Sequence, residues 1–489
     1  IFVSNDFFER DYLYINQKDG TFKETLTEQM RSISGASMGA DMADLNNDGY
    51  NEIFVTEMLP SYYERLKSVT TFEDWNKYSY NVKNGYHHQF TRNMLHLNNG
   101  NDSFSEIGRW ANVEASDWSW GALFFDMDND GYKDLFIANG IYQDLTDQDY
   151  LQYVGSEEVI KSIVTNNTVD YKRLIDIIPS NKVPNQAYRN GADLGLSAFE
   201  NSSLDLPSFS NGSAYGDLDN DGDLDLIVNN VNMPLFVFKN TAEKTGNNSL
   251  QIQLKGTEKN QQAVGAKIKV TTSIGELLHE VQPVRGFQSS MDVKSTIGVG
   301  KDSLVDLSIV WPSGKVTQRE KVAVNTLYTF DVKDAATPAE KASGDMPANI
   351  FEEITTIALE AHSENSFVDF HRERLTYHML STQGPKISLA DFDGDGQEEI
   401  LFPGAKGKET QLVKQDGKQW NVDEQNAELF KKLKYPEHTN SAVFDVDQDQ
   451  DLDIIMLSGS VEVAAQSANL YDRVLLNNGD GTFVQSQQT

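Results

Sequence analysis

Asp126-Met-Asp-Asn-Asp-Gly-Tyr-Lys-Asp134 runs directly into Leu135-Phe-Ile137, and this junction of an acidic turn with an apolar, β-rich run decides the fold. Oxygen-bearing side chains recur at positions 1, 3, 5 and 9 of the stretch, leaving position 7 to offer its backbone carbonyl. That alternation suits a hard cation, which takes six to eight oxygens at roughly 2.3–2.6 Å. Position 6 is glycine, as a sharp turn through the left-handed region requires. Calcium is the expected ion, because magnesium demands stricter octahedral geometry and keeps more of its water.

The pattern occurs five times, each copy followed by a strand-like run. The candidate ligands are Asp44, Asn46, Asp48, Tyr50 and Glu52 in loop one, and Asp126, Asp128, Asp130, Tyr132 and Asp134 in loop two. Loop three offers Asp217, Asp219, Asp221, Asp223 and Asp225, and loop four Asp391, Asp393, Asp395, Gln397 and Glu399. Loop five offers Asp445, Asp447, Asp449, Asp451 and Asp453. Up to five calcium ions are expected. An EF-hand would need a bidentate Glu at position 12, where this chain has Val55, Ile137, Val228, Phe402 and Met456. Two copies depart from the pattern: Asn46 stands for a carboxylate, and Gln450 for the turn glycine.

A second signal alternates with the loops. Tyr12 to Phe22, Met94 to Gly100 and Val474 to Phe483 each read as a strand ending in an Asn-Gly or Asp-Gly hairpin turn. Two hairpins per repeat make a four-stranded sheet, and the Asp391 to Asp445 interval fits one propeller blade of about 40–50 residues with a long loop. The earlier intervals are lengthened by two inserts rich in helix formers and aromatics, Ser61 to Gln89 and Asp144 to Ile178. From about Ser249 to Lys333 the chain has short strands without acidic loops, a small all-β domain, and Asp334 to Pro347 has the composition of a linker.

The chain has 489 residues, 74 acidic against 41 basic, and a formal charge of −33. Such a surface repels nucleic acid and anionic membranes. With Cys at zero, metal sites must use oxygen or histidine. No apolar run approaches the roughly 20 residues of a membrane helix. The start at Ile1, without an initiator Met, reads as a piece of a longer protein.

At these loops the chain resembles the FG-GAP/VCBS repeat family, whose integrin-α-like β-propellers hold calcium between strands. Met38 to Gly49, Asp117 to Gly121 leading into Asp126, and Ser208 to Asp219 resemble Bacteroidota members related to the cartilage-acidic-protein group. Gly265-Ala-Lys267, Pro283-Val-Arg-Gly-Phe-Gln-Ser-Ser290 and Trp311-Pro-Ser-Gly314 resemble the ASPIC/UnbV domain, and His362 to Phe370 with Leu380 to Pro385 the start of a second propeller. The organisation expected is therefore all-β: propeller blades over 1–244, an ASPIC/UnbV-like domain over 245–333, a linker over 334–349 and a second propeller over 350–489. The resemblance implies an exported, surface-anchored lipoprotein of the outer membrane, often accompanying SusC/SusD-type uptake complexes, with no family-wide enzymatic activity.

The leading expectation is thus a non-catalytic module that binds a protein or glycan partner at the cell surface. Its inserts should emerge side by side as one contact patch, with Tyr62, Tyr63, Trp75, Tyr78 and Tyr80 as anchors. The competing expectation is a propeller-type polysaccharide lyase or other glycan-active enzyme, kept open by Tyr86-His-His88. No nucleophile–base–orienter spacing, phosphate loop or His-x-x-x-His pair accompanies that motif. Trp118 and Trp120, two apart on a strand, are candidate sugar platforms.

Overall fold

The computed structural model describes residues 1–489 apart from 7–8, 70–73, 167–170, 201, 338–358, 385, 417–418 and 488–489. The described chain is nearly all-β, and divides into two compact units, Ile1–Ser343 and Gly344–Thr489. Most of the expected linker, from residue 338 on, lies outside the described residues.

Each acidic loop joins the first and second strands of an antiparallel meander. In the first unit the meanders are Ala40–Ala43, Glu52–Val55, Met94–Asn98 and Phe104–Glu106; then Ser119–Phe125, Asp134–Asn139, Gln186–Asn190 and Leu196–Ala198; then Ser210–Gly216, Asp225–Asn230 and Phe236–Phe238. A three-stranded sheet, Phe2–Val3, Tyr12–Asn16 and Phe22–Glu24, precedes them. The second unit repeats the meander twice, with loop four between Ser388–Ala390 and Glu399–Phe402 and loop five between His438–Phe444 and Asp453–Ser458. Position 9 of every loop opens a second strand and pairs with the last residue of the first: Ala43 with Glu52, Phe125 with Asp134, Gly216 with Asp225, Ala390 with Glu399, Phe444 with Asp453. Strand pairing therefore sets where that carboxylate stands.

The strands Glu52–Val55 and Asp134–Asn139 are buried on both faces, which explains their unbroken apolar runs. Phe54 meets Phe124 edge-on, with centroids 6.1 Å apart, and Phe125 stacks on Tyr215 at 4.9 Å, so each pair of neighbouring sheets encloses its own core.

The β domain is a two-sheet sandwich. Asn248–Lys255 lies between antiparallel Ser295–Gly300 and parallel Leu327–Asp331, facing the sheet Gly275–Glu280, Lys267–Thr272, Leu304–Val310, Val316–Ala323. Its core centres on Trp311, whose indole N–H donates to Thr317 Oγ1 at 2.9 Å. Ala336 exchanges both backbone hydrogen bonds with Val316, at 2.8 and 2.9 Å, so the start of the expected linker is still part of this domain.

A hairpin from the sandwich, Val284–Arg285 paired with Ser289–Ser290, wedges among the first strands of all three meanders. Gly286 bridges to Ala40, and the Phe287 ring lies 5.2 Å from that of Trp120. Glycines make the room: a Cβ at Gly39 or Gly121 would come within 3.3 or 3.5 Å of Phe287 Cβ, and one at Gly212 within 3.3 Å of its carbonyl oxygen. The buried Arg285 guanidinium ion-pairs with Asp41 at 2.9 Å and donates to the Met42 carbonyl at 2.6 Å.

Both inserts are helical, with Tyr63–Val69 and Trp75–Lys83 in the first and Gln148–Val154, Glu157–Asn166 and Tyr171–Asp176 in the second. The first helices of the two inserts touch. Arg65 joins them: its Nε lies 3.0 Å from Asp117, and its Nη1 reaches Asp144 at the root of the second insert.

Candidate metal centres

Four loops gather the carboxylates of positions 1, 3 and 9. One oxygen from each of Asp126, Asp128 and Asp134 lies within 4.8 Å of the others; the same holds for Asp217, Asp219 and Asp225, for Asp391, Asp393 and Glu399, and for Asp445, Asp447 and Asp453. The remaining loop differs at one atom type. Asn46 occupies position 3 and turns its amide onto Asp48 at 2.9 Å, leaving Asp44 and Glu52 as the buried carboxylates there.

The scaffold that aims these groups repeats. The position-9 carboxylate accepts the backbone N–H of position 2 in every copy, from Leu45, Met127, Leu218, Phe392 and Val446 at 2.7–2.9 Å. In loops one, two, four and five the position-1 carboxylate accepts the N–H of position 6, from Gly49, Gly131, Gly396 and Gln450 at 2.9–3.1 Å. Gln450 takes the same left-handed backbone as the glycines, with φ of +82°, so loop five closes despite the substitution. The position-5 carboxylates, Asp48, Asp130, Asp221, Asp395 and Asp449, each accept the N–H of position 7 through one oxygen. Where position 7 is Tyr50 or Tyr132, its backbone carbonyl is the oxygen it offers a hard cation, and Gln397 can add its side-chain carbonyl.

Loop three stands apart. The Asp217 carboxylate receives Gln251 and Lys294 from the β domain, Lys294 Nζ lying 3.3 Å away, while Asp217 Oδ1 is buried with no hydrogen-bond partner. Basic residues also lie over the loops. Arg189 pairs with Asp128 at 2.6 Å, Lys239 with Asp219 and Asp221, and Lys414 with Asp393 at 3.2 Å. Arg189 and Lys239 both directly precede an asparagine at the end of a third strand.

Asn190 and Asn240 carried no signal of their own in the sequence, and their role comes from the neighbouring meander. Asn190 donates to the carbonyls of Leu45 in loop one and Lys133 in loop two, at 2.8 and 3.1 Å. Asn240 does the same for Met127 and Leu224, and Asn477 for Phe392 and Leu452. Their backbone N–H groups each donate to the position-9 carboxylate of their own sheet. Adjacent loops are therefore tied by one amide.

Burial of so much negative charge shows in the protonation equilibria. Burial first, and then the Asp130 charge, pushes Asp126 up to about 8; burial lifts Glu52 to about 7 and Asp134 well above the usual carboxylate range. All-oxygen donors, unpaired buried carboxylate oxygens and like charges in contact suit a divalent cation, which supplies the positive charge otherwise drawn from protons. The residues fit calcium.

The other singled-out residues divide. Tyr62, Tyr63 and Tyr80 are exposed on the first insert. Tyr78 is not a free anchor: it stacks on Phe90 at 5.8 Å, lies against Trp75 at 5.5 Å, and its hydroxyl meets His88 Nδ1 at 2.6 Å. His87 contacts the Met30 carbonyl at 2.9 Å, so the His-His motif holds the insert against the first unit. His96 and His438 are core residues; burial lowers each to about 4. The Trp118 and Trp120 rings lie 6.2 Å apart, and Trp120 donates to the Gly140 carbonyl at 2.6 Å. Among the described residues, no helix is long and apolar enough to cross a membrane.

Residues 1–55 and 85–137 match the FG-GAP-like repeat model, and residues 256–337 the ASPIC and UnbV model. A curated relative, cartilage acidic protein 1 of Xenopus tropicalis, is 33% identical over 143 residues, which are 28% of this chain and 21% of that protein. The chain thus spans about a fifth of the relative it matches. Among solved structures, the exotype rhamnogalacturonan lyase YesX aligns with 99% of this chain and 52% of its own at 11% identity, and rhamnogalacturonan lyase YesW with 99% and 53% at 11%. Their TM-scores of 0.18 and 0.17 carry no argument about this fold or its chemistry. The repeat match lies on loops one and two, and the domain match on the sandwich: over these segments the chain is similar to FG-GAP-like repeats and to the ASPIC/UnbV domain, and over 143 residues to cartilage acidic protein 1.

Proposed function

We propose that the chain is a calcium-stabilised binding or scaffold module, exported and displayed at the cell surface as an accessory of an outer-membrane complex. The observation that carries the calcium reading is the repeated carboxylate triad of positions 1, 3 and 9, held in loops two, four and five by the same two backbone hydrogen bonds. An oxygen cage of this kind does not preform in an unfolded chain, so binding energy becomes folding energy. Excess EGTA should lower the melting temperature of the full chain, and Asp219→Ala should reproduce part of the loss. A melting curve unmoved by EGTA would refute the reading.

For the partner, the supporting observation is the pair of touching helical inserts, locked by Arg65 and bearing the exposed Tyr62, Tyr63 and Tyr80. Replacing residues 61–89 by a short Gly-Ser loop should abolish capture of a surface protein or glycan in pull-downs from solubilised outer membranes, while the calcium-dependent transition persists. The lyase alternative predicts unsaturated-product absorbance from acidic polysaccharides in calcium, lost on His88→Ala.

A further inference from the structure

Beside the triad of loop three stands a second cluster, in which positions 5 and 7 of the loop meet a carboxylate from outside the nine-residue pattern. Asp221, Asp223 and Glu243 each present an oxygen within 4.8 Å of the others. Glu243 belongs to a 3₁₀ turn, Ala242–Thr245, in the connector that leads from the third meander into the β domain. Asp223 is 1% exposed. Its Oδ2 accepts the Glu243 N–H at 3.3 Å, but its Oδ1 is buried with no hydrogen-bond partner. An orphaned buried carboxylate oxygen is costly unless something satisfies it. Among the described residues, the ammonium paired with this cluster is that of Lys239, 3.2 Å from Asp221, on a side chain 58% exposed and shared with Asp219 of the neighbouring triad.

We propose that Asp221, Asp223 and Glu243 bind a second divalent cation, calcium, next to but separate from the ion of the Asp217–Asp219–Asp225 triad. Three hard anionic oxygens supply half of a calcium shell; Asp221 and Glu243 face solvent, so water completes it. Lys239 swings out as the ion enters. The site belongs to loop three alone among the described residues: Tyr50, Tyr132 and Gln397 bring no carboxylate at position 7, and no third carboxylate is gathered with Asp449 and Asp451. The turn that carries Glu243 is already aimed, since Asn240 Oδ1 accepts the Ala242 N–H at 3.1 Å and Asn247 donates to the Asp128 carbonyl at 2.8 Å. The ion therefore clips the connector to the last meander and fixes the root of the β domain.

The proposal goes beyond the calcium reading of the loops, and one experiment separates the two. Bound calcium is counted by native mass spectrometry on the full chain with calcium chloride, for wild type, Glu243→Gln, Asp219→Asn and the double variant. Each single variant should carry one calcium fewer, and the double variant two fewer. Calcium should also slow tryptic cleavage after Lys244 in wild type but not in Glu243→Gln. A wild-type count in Glu243→Gln, with the Asp219→Asn loss intact, overturns this site and leaves the loop reading standing. A double variant that loses only one ion makes the two clusters a single site and overturns the proposal. Wild type with no bound calcium overturns both.

Discussion

Replacing Asn190 tests whether the loops are one mechanical system. Its amide donates to the Leu45 carbonyl, which is buried, and to the partly exposed Lys133 carbonyl. Asn190→Ala strands both acceptors. A buried acceptor left without a partner costs about 1–3 kcal/mol, and a half-exposed one, which water can reach, about 0.5–1.5 kcal/mol. Asn190 Oδ1 has no partner itself, so its removal gives back part of that. The net expectation is a loss of about 2–3 kcal/mol. Asn190→Asp should cost more, because it sets a carboxylate against two carbonyl oxygens and beside Asp134, which already accepts the Asn190 N–H at 2.9 Å. The assay is urea denaturation of the full chain in saturating calcium, followed by tryptophan fluorescence. Five of the six tryptophans lie in the first unit, so the signal reports the unit that Asn190 stitches. An Asn190→Ala midpoint equal to wild type, or an Asp variant as stable as the Ala variant, would show that the cross-loop amide contributes nothing and refute the reasoning.

Two further outcomes follow from single contacts. His96 is fully buried with Nε2 unpaired, and burial lowers it from its ordinary value to about 4; a depressed histidine binds fewer protons folded than unfolded, so its contribution to stability is present above about pH 6.5 and lost as pH falls from there through 4, by up to about 3 kcal/mol. His96→Gln should therefore flatten the acid limb of a stability–pH profile, and an unchanged limb would count against a neutral buried imidazole. Gly298 lies where a Cβ would come 2.0 Å from Asp126 Oδ2 and 2.6 Å from Asn129 Cα. Gly298→Ala should push the β-domain strand Ser295–Gly300 off loop two and cost more than about 3 kcal/mol, read as faster proteolysis of the connector at 241–247; wild-type resistance would place that strand elsewhere.

The acidic loops were legible in the sequence because their chemistry is local. A ligand every second residue, a glycine at the turn and an apolar strand beyond are conditions that nine consecutive residues meet by themselves, and so the meander, the oxygen donor set and the exclusion of an EF-hand could be read without coordinates. The helical inserts were legible for the same reason. Tertiary structure decided the rest, since it depends on groups far apart in the chain. It set Asn190 between two loops, and stacked Tyr78 under Phe90 and His88 where an exposed anchor had been expected. It also carried Arg285 and Phe287 into the midst of three meanders, and brought Glu243 to Asp223. None of these pairings has a sequence period, because each is set by how one sheet packs against the next; nine residues specify a loop, and only the packed chain specifies its neighbours.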